Sequence, residues 1–257
     1  MKLNARINVP GIAVILLVVA VWQVSTATFL RFEYLPSPIG IAEAFAEMVA
    51  GGEILLYVGH TLSITLLAAA IAIAGGVILG SVIALAPFVR TYTLGTVNVL
   101  RSLPVVALMP IALLIWGPEP KTELIVAVFS ALWPITINSI GGVAQIHPRL
   151  LEMARTFRLS TGDTFRKVVF PAALPSILVG SRLAVIHALV VVIVAEMLIN
   201  PQGMGGRLYR TQVALQPEQM WVWVIISGII GYLLNVIMIR GVRKALPGIG
   251  SAIGGAS

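Results

Sequence analysis

Six long apolar runs, separated by shorter polar segments, set the pattern of this chain. A bilayer span takes about 20 mostly apolar residues. Runs of that order fall at residues 11–30, 61–86, 94–116, 123–142, 174–200 and 221–240. Between the first two lies an acidic stretch opened by Pro36, Ser37 and Pro38 and carrying Glu43, Glu47 and Glu53, which predicts one short surface helix over 39–49. Gly76 and Gly80 in the second run have the GxxxG spacing that lets helices approach closely. Pro104 and Pro110 predict a kinked or broken third helix, and Pro134 a kink in the fourth. Residues 1–247 read as a single transmembrane domain, and 248–257, rich in Gly, Ser and Ala, as a disordered tail. The first run admits a second reading. Lys2 and Arg6, apolar residues to Trp22, then Ser25, Thr26 and Ala27 also form the layout of a signal peptide.

Composition agrees with the pattern. Of 257 residues, 58% are hydrophobic and only 11% charged, with a mean hydropathy of +1.00. A water-soluble domain carries roughly 25% charged residues, so this is an all-α, polytopic membrane protein. The absence of cysteine excludes disulfides, thiolate nucleophiles and Cys-based metal sites. The net charge of +7 points to no nucleic acid partner, because the basic residues segregate by loop. One side of a six-span chain receives Lys2, Arg6, Arg90, Arg149, Arg155, Arg158, Arg166, Lys167, Arg240, Arg243 and Lys244. The other receives Arg31, Lys121, Arg207 and Arg210 together with Glu33, Glu43, Glu47, Glu53, Glu119, Glu123 and Glu218. The positive-inside rule then predicts that both termini are cytoplasmic.

The longest polar interruption, residues 152–175, falls on the cytoplasmic side. Arg155, Arg158, Arg166 and Lys167, with Arg149 just upstream, outnumber Glu152 and Asp163 there. Apolar residues recur at Met153, Phe157, Phe165, Val168 and Val169, so one face is able to pack while the other is charged. Such a segment is a docking element, a membrane-surface helix or a solvated linker. No Gly-Lys-Ser/Thr phosphate loop is present, so any nucleotide that drives this protein binds another subunit. No HExxH or EF-hand pattern occurs and His60, His147 and His187 are far apart in sequence, so no metal is expected.

Ionisable groups within a span usually face the bundle interior or a water-filled path. His187 lies 12 residues beyond Pro175, or roughly 18 Å into the membrane, and Glu196 lies about one turn from the outer boundary. Nine residues at 100° each set the two on opposite faces, so they are not partners. Each is read either as lining a path or as a structural hydrogen bond. Beyond Asn200, the run through Gly203 and Gly205 reads as an outer turn, a re-entrant segment or a gate.

Glu152-Met153-Ala154, with Ser160, Phe165, Pro171 and Pro175, resembles the EAA motif of the membrane-spanning subunits of bacterial ABC importers. Met153 replaces the middle alanine, and Arg158 stands where that family usually has glycine. Arg101-Ser102-Leu103-Pro104, Met109-Pro110 and Trp116-Gly117 are similar to the third-span pattern of the nitrate/sulfonate/taurine group. Ala195-Glu196-Met197 followed by Gly203-Met204-Gly205 resembles that group's fifth-span ending, and the resemblance covers residues 61–240.

The resemblance implies a type I ABC importer permease fold in the bacterial inner membrane, with six spans and a cytoplasmic coupling helix in a loop over 147–172. Its implied partners are a second permease copy in a homodimer, two ATP-binding cassette subunits and an extracytoplasmic solute-binding protein. ATP and Mg would be held by the cassettes and no cofactor by this chain, which would not itself be an enzyme. Glu152, Met153, Ala154, Arg155, Thr156, Phe157, Arg158 and Ser160 would contact the ATPase, and His187, Glu196, Gly203 and Gly205 would lie on the path. Alternating access would carry a small solute: nitrate, a sulfonate such as taurine, bicarbonate, or a vitamin precursor or aromatic. The competing expectation is a stand-alone secondary transporter or channel.

Overall fold

The computed structural model describes residues 9–28, 34–200 and 202–245, and every regular element among them is helical. Helix α1 (Val9–Thr28) is followed by α2 (Pro38–Ala50), α3 (Glu53–Leu85), α4 (Pro87–Ser102) and α5 (Val105–Trp116). Then come α6 (Pro120–Ala144), α7 (Pro148–Thr156), α8 (Thr161–Thr164), α9 (Phe170–Leu198), α10 (Met204–Val213) and α11 (Pro217–Ala245). Five stretches are long and apolar enough to cross a membrane, and the α4–α5 pair, bent by 86°, supplies a sixth. The expected tail at 248–257, and Lys2, Arg6, Arg31 and Glu33, lie outside the described residues.

The centre of the bundle is a three-helix contact among α3, α6 and α9, built on small side chains. In lipid, helices gain little from apolar burial against one another, so close packing of small residues holds them together. Gly76 and Gly80 do this on α3. A Cβ on Gly80 would stand 2.6 Å from both the Thr136 carbonyl oxygen and Ser139 Cβ of α6, and one on Gly76 would strike the Ile135 side chain. The same holds between α6 and α9, where a Cβ on Gly142 would stand 2.8 Å from Ser176 Cβ and one on Gly180 2.7 Å from Asn138 Cβ.

Several boundaries differ from the sequence expectation for identifiable reasons. The second span starts at Glu53 rather than 61, because Gly52 at φ 71 ends the previous turn and the mostly apolar residues that follow continue helically. The third run is two helices, the break that Pro104 predicts. Pro104 cannot donate to the ladder, Leu103 is extended, and the chain turns there, whereas α5 accommodates Pro110 without a break. Helix α6 likewise runs through Pro134. The fifth run begins early: α8 passes through a π turn, Phe165–Val169, directly into α9. The predicted surface helix is α2, its Ser37 cap accepting the Gly40 N–H at 3.1 Å.

The glycine-rich run after Asn200 is not a simple turn. Gly205 and Gly206 lie inside α10, a helix the sequence pattern did not predict.

Candidate functional site

The basic interruption folds as a helix with a hard stop. Pro148 occupies its first turn and His147 Nδ1 accepts the Arg149 N–H at 3.3 Å. At its end Leu159 N–H reaches the Ala154 carbonyl at 3.0 Å and Arg158 N–H the Arg155 carbonyl at 2.9 Å, the paired bonds of a Schellman motif. That motif needs a left-handed residue, and Arg158 has φ 53. The glycine that the resembled family places here thus has a physical reason, and Arg158 adopts the same conformation at a cost. The chain then restarts at Ser160, whose Oγ accepts the Asp163 N–H at 3.1 Å, while Lys167 pairs with Asp163 at 2.9 Å.

Within this element only Ala154 is buried. The expected packing face divides. Val169 is buried and Phe165 packs at the edge of the core, but Met153 is 54% and Phe157 71% exposed. Leu150, Met153 and Phe157 share one helix face by their spacing and are left exposed by the described residues. Glu152, Arg155, Thr156, Arg158 and Ser160 are also exposed around them.

At the opposite end of the bundle, Glu196 is 1% exposed and held by groups from two other elements. Thr61 Oγ1 of α3 lies 2.7 and 2.9 Å from its two carboxylate oxygens, and the Gly205 N–H of α10 donates to it at 2.9 Å. The same Thr61 oxygen accepts the Met204 N–H at 3.0 Å. Glycine is required on α10 by proximity: a Cβ on Gly203 would enter the Glu196 carboxylate, and one on Gly205 the Ile193 carbonyl. Beside this latch, buried Glu123 faces His60 Nε2 at 3.4 Å. His60, Glu123 and Glu196 offer ligand atoms within 4.8 Å of one another. The expectation of no metal, drawn from histidine spacing along the chain, did not test such a trio from three helices. Arg207 pairs with Glu53 and lies 4.5 Å from the Tyr57 ring centroid, fastening α10 to α3.

Glu196, Gly203 and Gly205 are therefore brought together, and His187 is not among them. His187 lines a cleft of about 370 Å³ between the α4–α5 break, α6 and α9. Its polar groups are Arg101, Ser130, Asn138 and His187, set against Val105, Trp133, Ile137 and Leu183. Arg101, in the last turn of α4, stands at the break and faces this cleft. Arg182 of α9 donates from Nε to Asn235 Oδ1 at 2.6 Å. Nothing in the sequence marked Thr61, and Glu123 had been counted among the outer loop charges. The missing signal is a contact 135 residues long in sequence.

Residues 72–249 match the family described as binding-protein-dependent transport system inner membrane component. A putative aliphatic sulfonates transport permease protein SsuC of Escherichia coli (strain K12) is 32% identical over 220 residues, covering 85% of this chain and 84% of that protein. The protein of the same name in Bacillus subtilis (strain 168) is 29% identical over 241 residues, covering 92% and 86%. The nitrate import permease protein NrtB of Synechocystis sp. (strain ATCC 27184 / PCC 6803 / Kazusa) is 28% identical over 235 residues, covering 88% and 84%. Among solved structures, a chain of the inward-facing MetNI methionine ABC transporter superposes with a TM-score of 0.64 at 18% identity, covering 76% of this chain and 97% of that one. That likeness shows the fold, a type I importer permease.

Proposed function

This chain belongs to the family of binding-protein-dependent transport system inner membrane components, and from that premise we propose that it is the permease half of an ATP-driven importer. It is a multi-pass protein of the inner membrane, and its role is transport rather than catalysis. The cargo is a small solute of the sulfonate or nitrate type, as in the relatives' names. Two copies form the path, two separate ATP-binding cassettes bind ATP and Mg, and an extracytoplasmic binding protein delivers the solute. Both termini and α7 lie in the cytoplasm, on the side favoured by the basic loops.

The observation that carries the coupling role is the uncovered Leu150, Met153 and Phe157 face on α7, ringed by Glu152, Arg155 and Arg158. A short helix with exposed apolar anchors is the helix-in-groove mode of recognition. Its Schellman stop and the continuous path from α8 into α9 supply a stiff lever from such a groove to the bundle centre. Closure of the cassettes would tilt this lever and turn the path from one side to the other. Glu152→Lys, or deletion of residues 155–160, is expected to leave the bundle folded while separating ATP hydrolysis from transport. Normal ATP-driven import by such variants would refute the coupling role.

A further inference from the structure

The cleft at the α4–α5 break carries an inference that rests on the importer reading and narrows its substrate. Its depth comes first. Ser130 is ten residues into α6 and His187 eleven residues from the end of α9, each about 15–17 Å along a helix at 1.5 Å per residue. In a hydrocarbon core of about 30 Å this is the midplane. Polar side chains at that depth are costly unless they meet partners, water or a ligand. Among the described residues, Arg101, Ser130 and His187 make no side-chain hydrogen bond or ion pair, and all three face the same cleft.

Charge comes second. Among the described residues no Asp or Glu lines the cleft, whereas Arg101 brings a guanidinium with its fork of N–H donors. Asn138 already donates from Nδ2 to the Pro134 carbonyl at 2.8 Å, so it is oriented rather than free to swing. Helix α5 begins at the break with no side-chain cap on its first turn, and Val105 of that turn lines the cleft. Its leading backbone N–H groups add partial positive charge beside Arg101. A discontinuous membrane helix with its N-terminal half at a midplane cavity is a fitting place for an anionic group.

Shape comes third. The volume of about 370 Å³ lies at the lower end of the range of small-molecule sites. Trp133, Ile137 and Leu183 add an apolar wall beside the polar groups.

We propose that this cleft is an anion-selecting site on the translocation path, in which Arg101, with Ser130 and His187, binds the oxyanion head of the cargo and the Trp133–Leu183 wall takes any short apolar tail. The permease thereby tests the charge of what the binding protein delivers. A neutral solute of the same size would leave Arg101 desolvated and unpaired at the midplane.

The chain contains no cysteine, which permits a direct test on the full protein in membrane vesicles. A single Leu183→Cys is labelled with two methanethiosulfonates of similar size, one bearing a sulfonate and the other a trimethylammonium. The sulfonate reagent is expected to react about tenfold faster or more, by electrostatic focusing in a low-dielectric cleft. Adding Arg101→Gln should abolish the preference, and adding Arg101→Lys should retain it, which excludes misfolding as the cause. Millimolar nitrate or methanesulfonate should slow labelling where urea does not. Protection by both anions assigns the oxyanion head alone, and protection by methanesulfonate only assigns the apolar wall as well. Equal rates for the two reagents, or a preference indifferent to Arg101, would overturn the site. The labelling needs no ATP, so a charge preference in a protein that shows no ATP-driven uptake would leave this site standing and defeat the importer reading. ATP-driven import of a neutral solute without a charge preference would do the reverse.

Discussion

Thr61→Val is the most informative single change outside the cleft. The two side chains are nearly isosteric, so the substitution removes a hydroxyl and little else. In the folded protein that hydroxyl donates to the Glu196 carboxylate at 2.7 Å and accepts the Met204 N–H at 3.0 Å. Thr61 and Met204 are fully buried and Glu196 is 1% exposed, so water cannot substitute. Valine leaves one carboxylate oxygen and one backbone amide without partners. At about 1–3 kcal/mol for each stranded group, the loss is about 2–6 kcal/mol. Thr61→Ser keeps the hydroxyl and deletes one methyl, for a loss of about 1 kcal/mol. Reversible unfolding of the purified subunit in mixed micelles reads both. The valine variant should unfold well before the serine variant, with α10 released first in hydrogen exchange. Equal stability of the two would show that Thr61 does not hold the outer latch.

Arg158→Gly should stabilise the loop after α7 by about 1 kcal/mol, because glycine adopts φ 53 without the Cβ penalty; slower proteolysis of that loop would register it, and faster proteolysis would contradict it. Gly80→Ala should cost about 1–3 kcal/mol by forcing α3 from α6, whereas Gly95→Ala, with open space around its Cβ, should lie within about 0.5 kcal/mol of wild type in the same unfolding assay. Phe157→Ala removes an apolar anchor that is 71% exposed in the isolated chain. If it docks, the loss of about 1.5 kcal/mol or more weakens ATPase association roughly tenfold. Unchanged affinity in detergent-solution binding would remove Phe157 from the interface.

The number and placement of the spans were legible because hydropathy over about 20 residues is the strongest signal a membrane chain carries. Gly76 and Gly80 also announced their role, since the spacing that marks a close contact is local. Boundaries failed where backbone chemistry overrode composition. Gly205 and Gly206 entered a helix that propensity argues against, whereas the break at Pro104 was announced by the proline itself. Gly205 sits where tertiary packing, the Ile193 carbonyl and the Glu196 side chain, sets the conformation. The candidate residues divided in the same way. His187 and Glu196 drew notice by depth alone, but depth does not say what faces them. The cleft neighbour Arg101 and the hydrogen-bond partner Thr61 come from helices far away in sequence. Arg158 was visible as a departure from a family pattern, and only its left-handed backbone explains what the pattern is for.

The central claim is that this chain is a permease driven by ATPases bound at α7. Its most direct test is affinity purification of the tagged chain from its own membrane in mild detergent, followed by identification and quantification of every retained polypeptide. The account predicts an ATP-binding cassette protein at one copy per permease chain, lost when Glu152→Lys is introduced. A reproducible oligomer of this chain alone, with no nucleotide-hydrolysing partner, would contradict it.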